Sequence, residues 1–234
     1  MNRVLTLARA EARILVRNRL VAATGLLLPL LIGVFLASTN TDGAWGNIVA
    51  MQLVLMLLFC VYATATTSLA ARKRQLVLKR LRSGELSDAE ILTGLLAPLF
   101  VLALAQTAIL VLCTVAFGAP LPPRPWLLVP ALVLGAAMSA TIALATAAFT
   151  ASAELAQITI TPFFFAAIAG ATWAISAEGV TVLKVLAPGG ALAALTRGAW
   201  DGGGMPLLAC AALVGWTAAG ALVARRFFRW EPRS

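Results

Sequence analysis

Six long apolar runs follow one another along the chain, and they constrain its fold more than any other feature. They lie at about residues 20–38, 48–71, 91–117, 126–150, 155–177 and 205–224. A helix needs about 20 apolar residues to cross the ~30 Å hydrocarbon core of a bilayer. Only 12% of the residues are charged, whereas about 25% are charged in a typical soluble domain. The sequence therefore predicts an all-α membrane protein, with six transmembrane helices forming a single domain over residues 1–234.

The basic residues are spread unevenly over the segments that connect these runs. If the N-terminus is cytoplasmic, the outer segments hold only three of the 18 Lys and Arg residues, namely Arg124, Lys184 and Arg197. Because cytoplasmic segments retain Lys and Arg, we expect both termini to be cytoplasmic in a plasma or inner membrane. The pI of 11.0 then reflects topology and contact with the lipid bilayer. It does not indicate a nucleic-acid partner, which would need a basic patch on a soluble fold.

Residues 1–19 are predicted to form an amphipathic helix that lies on the membrane surface. Arg9, Arg13 and Arg17 fall within roughly 80° of one another at about 100° per residue, and such a basic face binds anionic headgroups. Glu11 projects from the opposite, apolar face. Two interpretations remain open for it. It reaches sideways to water or to a neighbouring arginine, or it contacts a partner subunit or another loop.

The segment 72–90 between the second and third runs concentrates charge in a way that a simple loop would not need. Six of its first eleven residues are basic. Gly84 suits the end of a short helix, and Ser87 with Glu90 forms an S-x-x-E capping box that starts the next one. An ordinary positively charged loop is one interpretation. The organised pair of helices favours the other, a docking element for a second protein.

Several kinds of chemistry are excluded by residues that the sequence lacks. It contains no histidine, and its three cysteines lie inside apolar runs without motif spacing. We therefore predict no catalytic, metal-binding or cofactor-binding residues, and no enzyme activity in this chain. The phosphate loop G-x-x-x-x-G-K-[ST] is also missing. No charged residue falls in the middle of a run, which argues against an ion-driven pump and for an external energy source.

Three stretches, taken in order, resemble the permeases of the type-2 ATP-binding-cassette (ABC) exporter family. They are GELSDAEIL at 84–92; SAELAQ at 152–157 with Pro162 and Gly170; and LAP at 186–188 followed by Leu192, Leu195, Arg197 and Gly202. In that family an amphipathic helix leads into six spans, and a charged coupling helix between spans two and three engages the nucleotide-binding subunit. This chain departs from the pattern where RKRQ at 72–75 replaces a Glu-rich motif.

The resemblance implies a transmembrane exporter subunit whose energy comes from another polypeptide. ATP and Mg would bind to a separate ABC ATPase subunit, so that the assembled complex hydrolyses ATP. A second copy of the chain, or a paralogous permease, would complete the membrane part. The substrate would be hydrophobic or amphipathic, such as a drug, antibiotic, lipid or peptide. The residues expected to couple to the ATPase are Arg74, Leu76, Leu78, Lys79, Arg80, Leu81, Arg82 and Glu154.

A translocation path is expected along spans two and five, because these form the inner surface in the family. The candidate lining residues are Gln52, Met56, Phe59, Thr159, Phe163, Phe164 and Phe165. For the polar members, hydrogen bonding between helices is the alternative interpretation. Between spans five and six, residues 178–204 are too long for a turn and are expected to form two short helices that re-enter the outer leaflet.

Two other functions remain possible at this point. One is a non-transporting membrane scaffold or sensor-associated subunit. The other is an integral-membrane enzyme such as a lipid transferase or protease. The enzyme would need Asp, His or Ser-Lys groups that converge at the membrane face, and the sequence offers no histidine and no Asp within a span. An associated ATPase would separate the exporter from both alternatives.

Overall fold

The computed structural model describes residues 3–17, 23–75, 87–176, 179–203 and 205–228, and the regular elements within them are all helices. The first helix, α1, is Arg3–Arg17. A π-helical turn, Ala23–Leu27, leads into α2, Leu28–Ser38. Next come α3 (Trp45–Leu57), a π-helical segment (Leu58–Ala63) and α4 (Thr64–Arg74), which form one continuous helix.

Six further helices lie in the described residues from 87 to 228. These are α5 (Asp88–Ala116), α6 (Leu128–Phe149, entered through the 3-10 turn Pro125–Leu127), α7 (Ala153–Ile175), α8 (Val182–Leu186), α9 (Gly190–Asp201) and α10 (Pro206–Phe227). We call the end of the bundle that carries Arg72, Arg74 and Arg225 the basic end.

Five helices in the described residues are long and apolar enough to cross a membrane, and they correspond to the last five predicted spans. They are Trp45–Arg74, Asp88–Ala116, Pro125–Phe149, Ala153–Ile175 and Pro206–Phe227. The first predicted span appears as the shorter apolar stretch Ala23–Ser38. Part of that prediction, residues 18–22, lies outside the described residues. The sixth span and the cytoplasmic location of the termini therefore stay predictions.

The helix Trp45–Arg74 lies at the centre of the bundle, and we call it the central helix. Its side chains at Met56, Val61 and Tyr62 are fully buried against the surrounding helices. The peripheral helices instead turn large apolar side chains outward, as Val101, Leu112 and Leu222 show. Such an apolar exterior is what a helical bundle needs where lipid replaces water.

Small residues bring α6 and α10 into close contact. A Cβ atom added to Gly220 would lie 2.8 Å from the Thr141 hydroxyl and 3.0 Å from the backbone nitrogen of Ile142. Gly220 therefore serves packing within one chain, which is a typical role for small residues in membrane helices.

The capping box predicted at Ser87 is confirmed. The Ser87 hydroxyl accepts a hydrogen bond from the Glu90 N–H at 3.3 Å, and the Ser87 N–H donates to the Glu90 carboxylate at 2.8 Å. Because these bonds satisfy two N–H groups at the helix terminus, α5 begins at a fixed residue. Its 29 residues continue through Pro98.

The two short helices expected in residues 178–204 are present as α8 and α9. Gly189 joins them with a φ of +74°, and a Cβ there would collide with the Ala167 carbonyl. Leu192 and Leu195 of α9 are buried, whereas Leu183 and Leu186 of α8 are exposed. The helix α9 therefore packs into the bundle against α3 and α7.

Candidate functional site

A cavity of about 330 Å³ opens between the π-helical turn before α2, the central helix and α7. Aromatic rings, aliphatic side chains, four threonines and one glutamine form its walls, and no charged group is among these described lining residues. They are Thr24, Phe59, Ala63, Thr64, Thr67, Gln157, Ile160, Thr161, Phe164 and Phe165. The cavity is thus suited to an uncharged molecule with a large apolar part.

Helical spacing explains why these residues face one space. Residues four apart lie on the same face of a helix. Phe59, Ala63 and Thr67 are spaced in this way on the central helix, as are Gln157, Thr161 and Phe165 on α7. Each wall therefore carries its polar groups towards the basic end and its aromatic rings further into the bundle.

Three aromatic rings form a continuous cluster in the cavity wall. The ring centroids of Phe59 and Phe164 are 4.9 Å apart, and those of Phe164 and Phe165 are 6.2 Å apart, both in edge-on arrangements. Edge-to-face contacts of this kind are favourable beyond the area that they bury. Phe165 is 64% exposed, so one side of the cavity is open in the single chain.

Two walls of the cavity contain π-helical turns. The Thr64 hydroxyl donates to the Phe59 carbonyl, five residues earlier, at 2.9 Å. This bond spans the π-helical segment Leu58–Ala63 of the central helix. The other π-helical turn, Ala23–Leu27, contributes Thr24. Because π-turns inside α-helices occur frequently at functional sites, their meeting at one cavity marks it as the candidate site.

Of the predicted path residues, the structure brings Phe59, Phe164 and Phe165 together in the cavity wall. Phe163 points the other way, with its ring centroid 5.2 Å from that of Tyr62 and 6.2 Å from that of Trp216.

The remaining three predicted path residues face other helices. Met56 is fully buried in the core. The Thr159 hydroxyl shares a hydrogen bond of 2.8 Å with the Thr150 hydroxyl. The Gln52 side chain donates to the Gly33 carbonyl at 2.7 Å and accepts from Thr114 at 3.1 Å. Thr159 and Gln52 therefore form hydrogen bonds with neighbouring helices in this structure.

Sequence reasoning missed part of the lining. Seven lining residues were not among the predicted path residues: Thr24, Ala63, Thr64, Thr67, Gln157, Ile160 and Thr161. The available signal was the four-residue spacing of Phe59 with Ala63 and of Gln157 with Thr161. Nothing in the sequence indicated that the first apolar run would meet these two faces at Thr24.

At the basic end, α1 is joined to the central helix by a buried ion pair. The Arg72 guanidinium donates to the Glu11 carboxylate and also to the Ser68 hydroxyl, the latter at 3.2 Å. Burial raises the pKa of Glu11, and the Arg72 charge opposes that rise. Glu11 therefore pairs with a residue of the central helix, whereas Arg9, Arg13 and Arg17 of the same α1 are exposed.

Lys73, the neighbour of Arg72, is buried. Its ammonium donates to the Ala147 carbonyl at 2.7 Å, in the last turn of α6. The Ala147 carbonyl also accepts the Thr150 N–H at 3.3 Å, and a cation at the C-terminal end of a helix interacts favourably with the helix dipole. The basic sequence at 72–74 thus attaches the central helix to α1 and to α6.

The predicted coupling residues Arg74 and Glu154 form an exposed ion pair at 3.3 Å. The pKa of Glu154 is lowered, first by a hydrogen bond from the Ser152 side chain and then by a backbone hydrogen bond. The nearby Arg74 charge lowers it further. Exposed ion pairs contribute little to stability. The contact shows instead that the end of the central helix lies beside the start of α7. The other predicted coupling residues, Leu76, Leu78, Lys79, Arg80, Leu81 and Arg82, lie outside the described residues.

The sequence was compared with known protein families and with curated proteins. The sequence profile of a family described as ABC-2 type transporter matches residues 2–177, about three quarters of the chain. No curated protein matches the sequence. The matched domain is the permease part of such transporters, which lacks an ATPase site of its own and works with an ABC ATPase in a membrane. The chain belongs to the ABC-2 type transporter family, as a multi-pass transmembrane subunit.

Proposed function

We propose that this chain is the transmembrane subunit of an ATP-driven exporter that moves a hydrophobic or amphipathic molecule out of the cell. The observation that carries the proposal is the cavity between the central helix, α7 and the turn before α2. It is open on one side and is lined by aromatic rings, hydroxyls and an amide. Its volume of about 330 Å³ falls within the range of small-molecule sites, roughly 300–1,000 Å³.

The composition of the cavity wall favours an uncharged substrate. An ion that enters such a space loses its hydration, and the described lining residues offer it no opposite charge. The aromatic cluster around Phe164 suits a ring or an acyl chain, and Gln157 with Thr161 suits a hydroxyl or carbonyl group. Among the possible substrates, neutral amphipathic drugs or antibiotics and uncharged lipids fit this wall better than charged peptides.

Energy would reach the cavity from the basic end, which we place in the cytoplasm. Arg74 and Glu154 are paired there, and each continues into a cavity wall. Thr67 lies seven residues before Arg74 on the central helix, and Gln157 lies three residues after Glu154 on α7. A displacement of the segment 72–90 by the ATPase would therefore reach the central-helix wall about two helical turns away and the α7 wall within about one turn.

A second permease subunit would close the open side of the cavity. Phe165 lines the cavity and is also 64% exposed in the single chain. Since an aromatic lining residue at an open edge is well placed to meet another subunit, we expect a second copy or a paralogous permease there. The complete transporter would then contain two permeases and two ATPase subunits.

The proposal can be tested in cells that produce this chain with its ABC ATPase. Cells are loaded without energy with uncharged Nile red or with anionic carboxyfluorescein, and efflux is followed after energy is restored. We expect efflux of Nile red to be faster than in cells without the chain, and to depend on the catalytic glutamate of the ATPase. An ATPase that co-purifies with the chain while neither dye moves would favour the scaffold function.

A further inference from the structure

A second cavity, of about 350 Å³, lies at the basic end, where the central helix stops beside the connection between α6 and α7. Lys73 and Arg74 form one wall, and residues 148–152 form the other. The described lining of the first cavity carries no charge, whereas the described lining of this one carries two cations and no carboxylate. Because the two charges have the same sign and face one space, the second cavity suits an anion.

The two cations of this cavity are held in different ways. Lys73 is only 4% exposed, and its ammonium donates to the Ala147 carbonyl at 2.7 Å. The fold therefore fixes this charge in the cavity wall. The Arg74 side chain is 64% exposed, so it can change its conformation without a loss of packing. A ligand would thus meet one fixed cation in the wall and one adaptable cation at the entrance.

An anionic group of the chain itself lies at the cavity entrance. The Glu154 carboxylate, in the first turn of α7, accepts from Arg74 at 3.3 Å. It also accepts hydrogen bonds from the Ser152 side chain and from the backbone. The Glu154 side chain is 74% exposed, and exposed ion pairs contribute little free energy. An external anion that reaches Lys73 as well as Arg74 would therefore displace this carboxylate at little cost.

Exposed aromatic rings lie at the edge of the same cavity. Phe149 lines the cavity and is 53% exposed, and its ring centroid is 5.3 Å from that of Phe227, which is 38% exposed. The Arg226 guanidinium lies 5.8 Å from the centroid of the Phe227 ring. One and one and a half turns earlier on α10, Val223 and Leu222 are exposed too. The cavity therefore opens beside an apolar surface, and aromatic rings with nearby arginines are typical of the ends of membrane spans.

We infer that this second cavity binds an anionic phospholipid, with the phosphate between Lys73 and Arg74 and the acyl chains against Phe149 and Phe227. A phosphodiester supplies one negative charge and oxygen acceptors for both cations. The exposed rings favour a lipid over free phosphate or an acidic protein segment, because only the lipid needs an apolar surface beside its charge.

The bound lipid would connect the end of the central helix with the start of α7. These two elements continue as walls of the first cavity, but the lipid site is separate from that cavity and shares no lining residue with it. The inference therefore goes beyond the proposed function and does not depend on which molecule is transported.

The test titrates the purified full chain in detergent with dioleoylphosphatidylglycerol or dioleoylphosphatidylcholine and follows bound lipid by native mass spectrometry. The two lipids have the same acyl chains and differ in net charge. We expect the first phosphatidylglycerol to bind more tightly than phosphatidylcholine. Arg74→Gln should weaken that first binding step by roughly fivefold, the factor that corresponds to one basic residue near an anionic headgroup. Arg74 is chosen because Lys73 also holds α6, so replacing Lys73 would disturb packing.

Glu154→Gln should have the opposite effect and tighten the binding of phosphatidylglycerol, because it removes the carboxylate that competes for Arg74. If the Arg74–Glu154 pair only held the two helices together, both variants would weaken binding in the same way. Arg225→Gln and Asp88→Asn are the matched controls. Both residues are exposed at the basic end and neither lines the cavity, so these variants should leave the affinity of the first lipid nearly unchanged.

Several results would overturn the inference. Equal binding of the two lipids would show that the headgroup charge is not recognised. Equal weakening by Arg74→Gln and Arg225→Gln would indicate diffuse attraction to the whole basic end. Displacement of phosphatidylglycerol by inorganic phosphate would assign the cavity to a free anion. If Arg74→Gln left lipid binding unchanged but reduced co-purification of the ATPase, the cavity would be a protein-docking site. None of these measurements involves transport, so a failed lipid site is distinguishable from a failed exporter.

Discussion

At the scale of single residues, the contacts that define the basic end are ionic and reach across the sequence. Glu11 and Arg72 are 61 positions apart and are both largely buried, with side chains 6% and 13% exposed. A carboxylate in such a place needs its partner, because a buried charge without one is costly. The sequence identified Glu11 as an exception on an apolar face. It could not name Arg72, because that pairing depends on how α1 lies against the bundle.

The Glu11–Arg72 pair can be tested with a double-mutant cycle. Glu11→Leu and Arg72→Leu should each lower the free energy of unfolding by about 3 kcal/mol, since removing one partner leaves an uncompensated buried charge. The double variant should be less destabilised than the sum of the two. Thermal unfolding of the purified chain in detergent measures all four proteins. Additive effects would show that the two groups do not interact.

The aromatic cluster predicts a difference between neighbouring phenylalanines. Phe164→Ala removes the ring that contacts both Phe59 and Phe165 in the cavity wall, so ATP-dependent efflux of Nile red should fall by roughly tenfold, as expected for about 1.4 kcal/mol of lost binding. Phe163→Leu, which alters the side that faces Tyr62 and Trp216, should keep efflux near the parent rate. Equal loss in both variants would indicate a general packing defect.

At the scale of helices, the sequence predicted most of what the structure shows. Five of the six spans, the capping box at Ser87 and the two short helices in 178–204 could be predicted, because length, apolar content and capping are local properties. The π-helical turns at Ala23–Leu27 and Leu58–Ala63 could not. They depend on contacts between helices, such as the hydrogen bond from the Gln106 side chain to the Gly25 carbonyl, which no local pattern encodes.

Packing between α6 and α10 gives a prediction with its own control. Gly220→Val should destabilise the bundle by about 1–3 kcal/mol, the usual cost of overpacking, because a Cβ there meets Thr141 and the backbone of Ile142 at 2.8–3.0 Å. Gly215→Ala lies on the same helix and has no neighbour within 4 Å of its added Cβ. It should leave the unfolding temperature unchanged. Similar shifts for both variants would contradict this packing.

At the scale of the whole molecule, the basic end joins the elements that a motor would need to move. α1 is paired with the central helix through Arg72, α6 through Lys73, and α7 through Arg74. The central helix and α7 then continue as two walls of the cavity. A force applied at 72–90 would therefore act on a connected set of helices.

Docking of the ATPase is expected to depend on the charge of the segment 72–82. Reversing Arg80 and Arg82 to Glu should reduce co-purification of the ATPase, because a cationic docking surface loses its complementarity. The thermal stability of the isolated chain should not change. As a control for charge alone, Arg225→Glu and Arg226→Glu carry the same reversal on the last helix. Unchanged co-purification of the Arg80/Arg82 variant would place docking elsewhere.

The central claim is that ATP used by a partner subunit changes the cavity of this chain. Spin labels at Thr67→Cys and Gln157→Cys, on opposite walls of the cavity, report it directly through pulsed dipolar distance measurements in the assembled complex without its native cysteines. We predict one distance distribution without nucleotide and a different one with ATP and vanadate. The shift should be lost when Arg80 and Arg82 are also reversed to Glu, because this variant is expected to bind less ATPase. The same distribution in both nucleotide states would contradict the account.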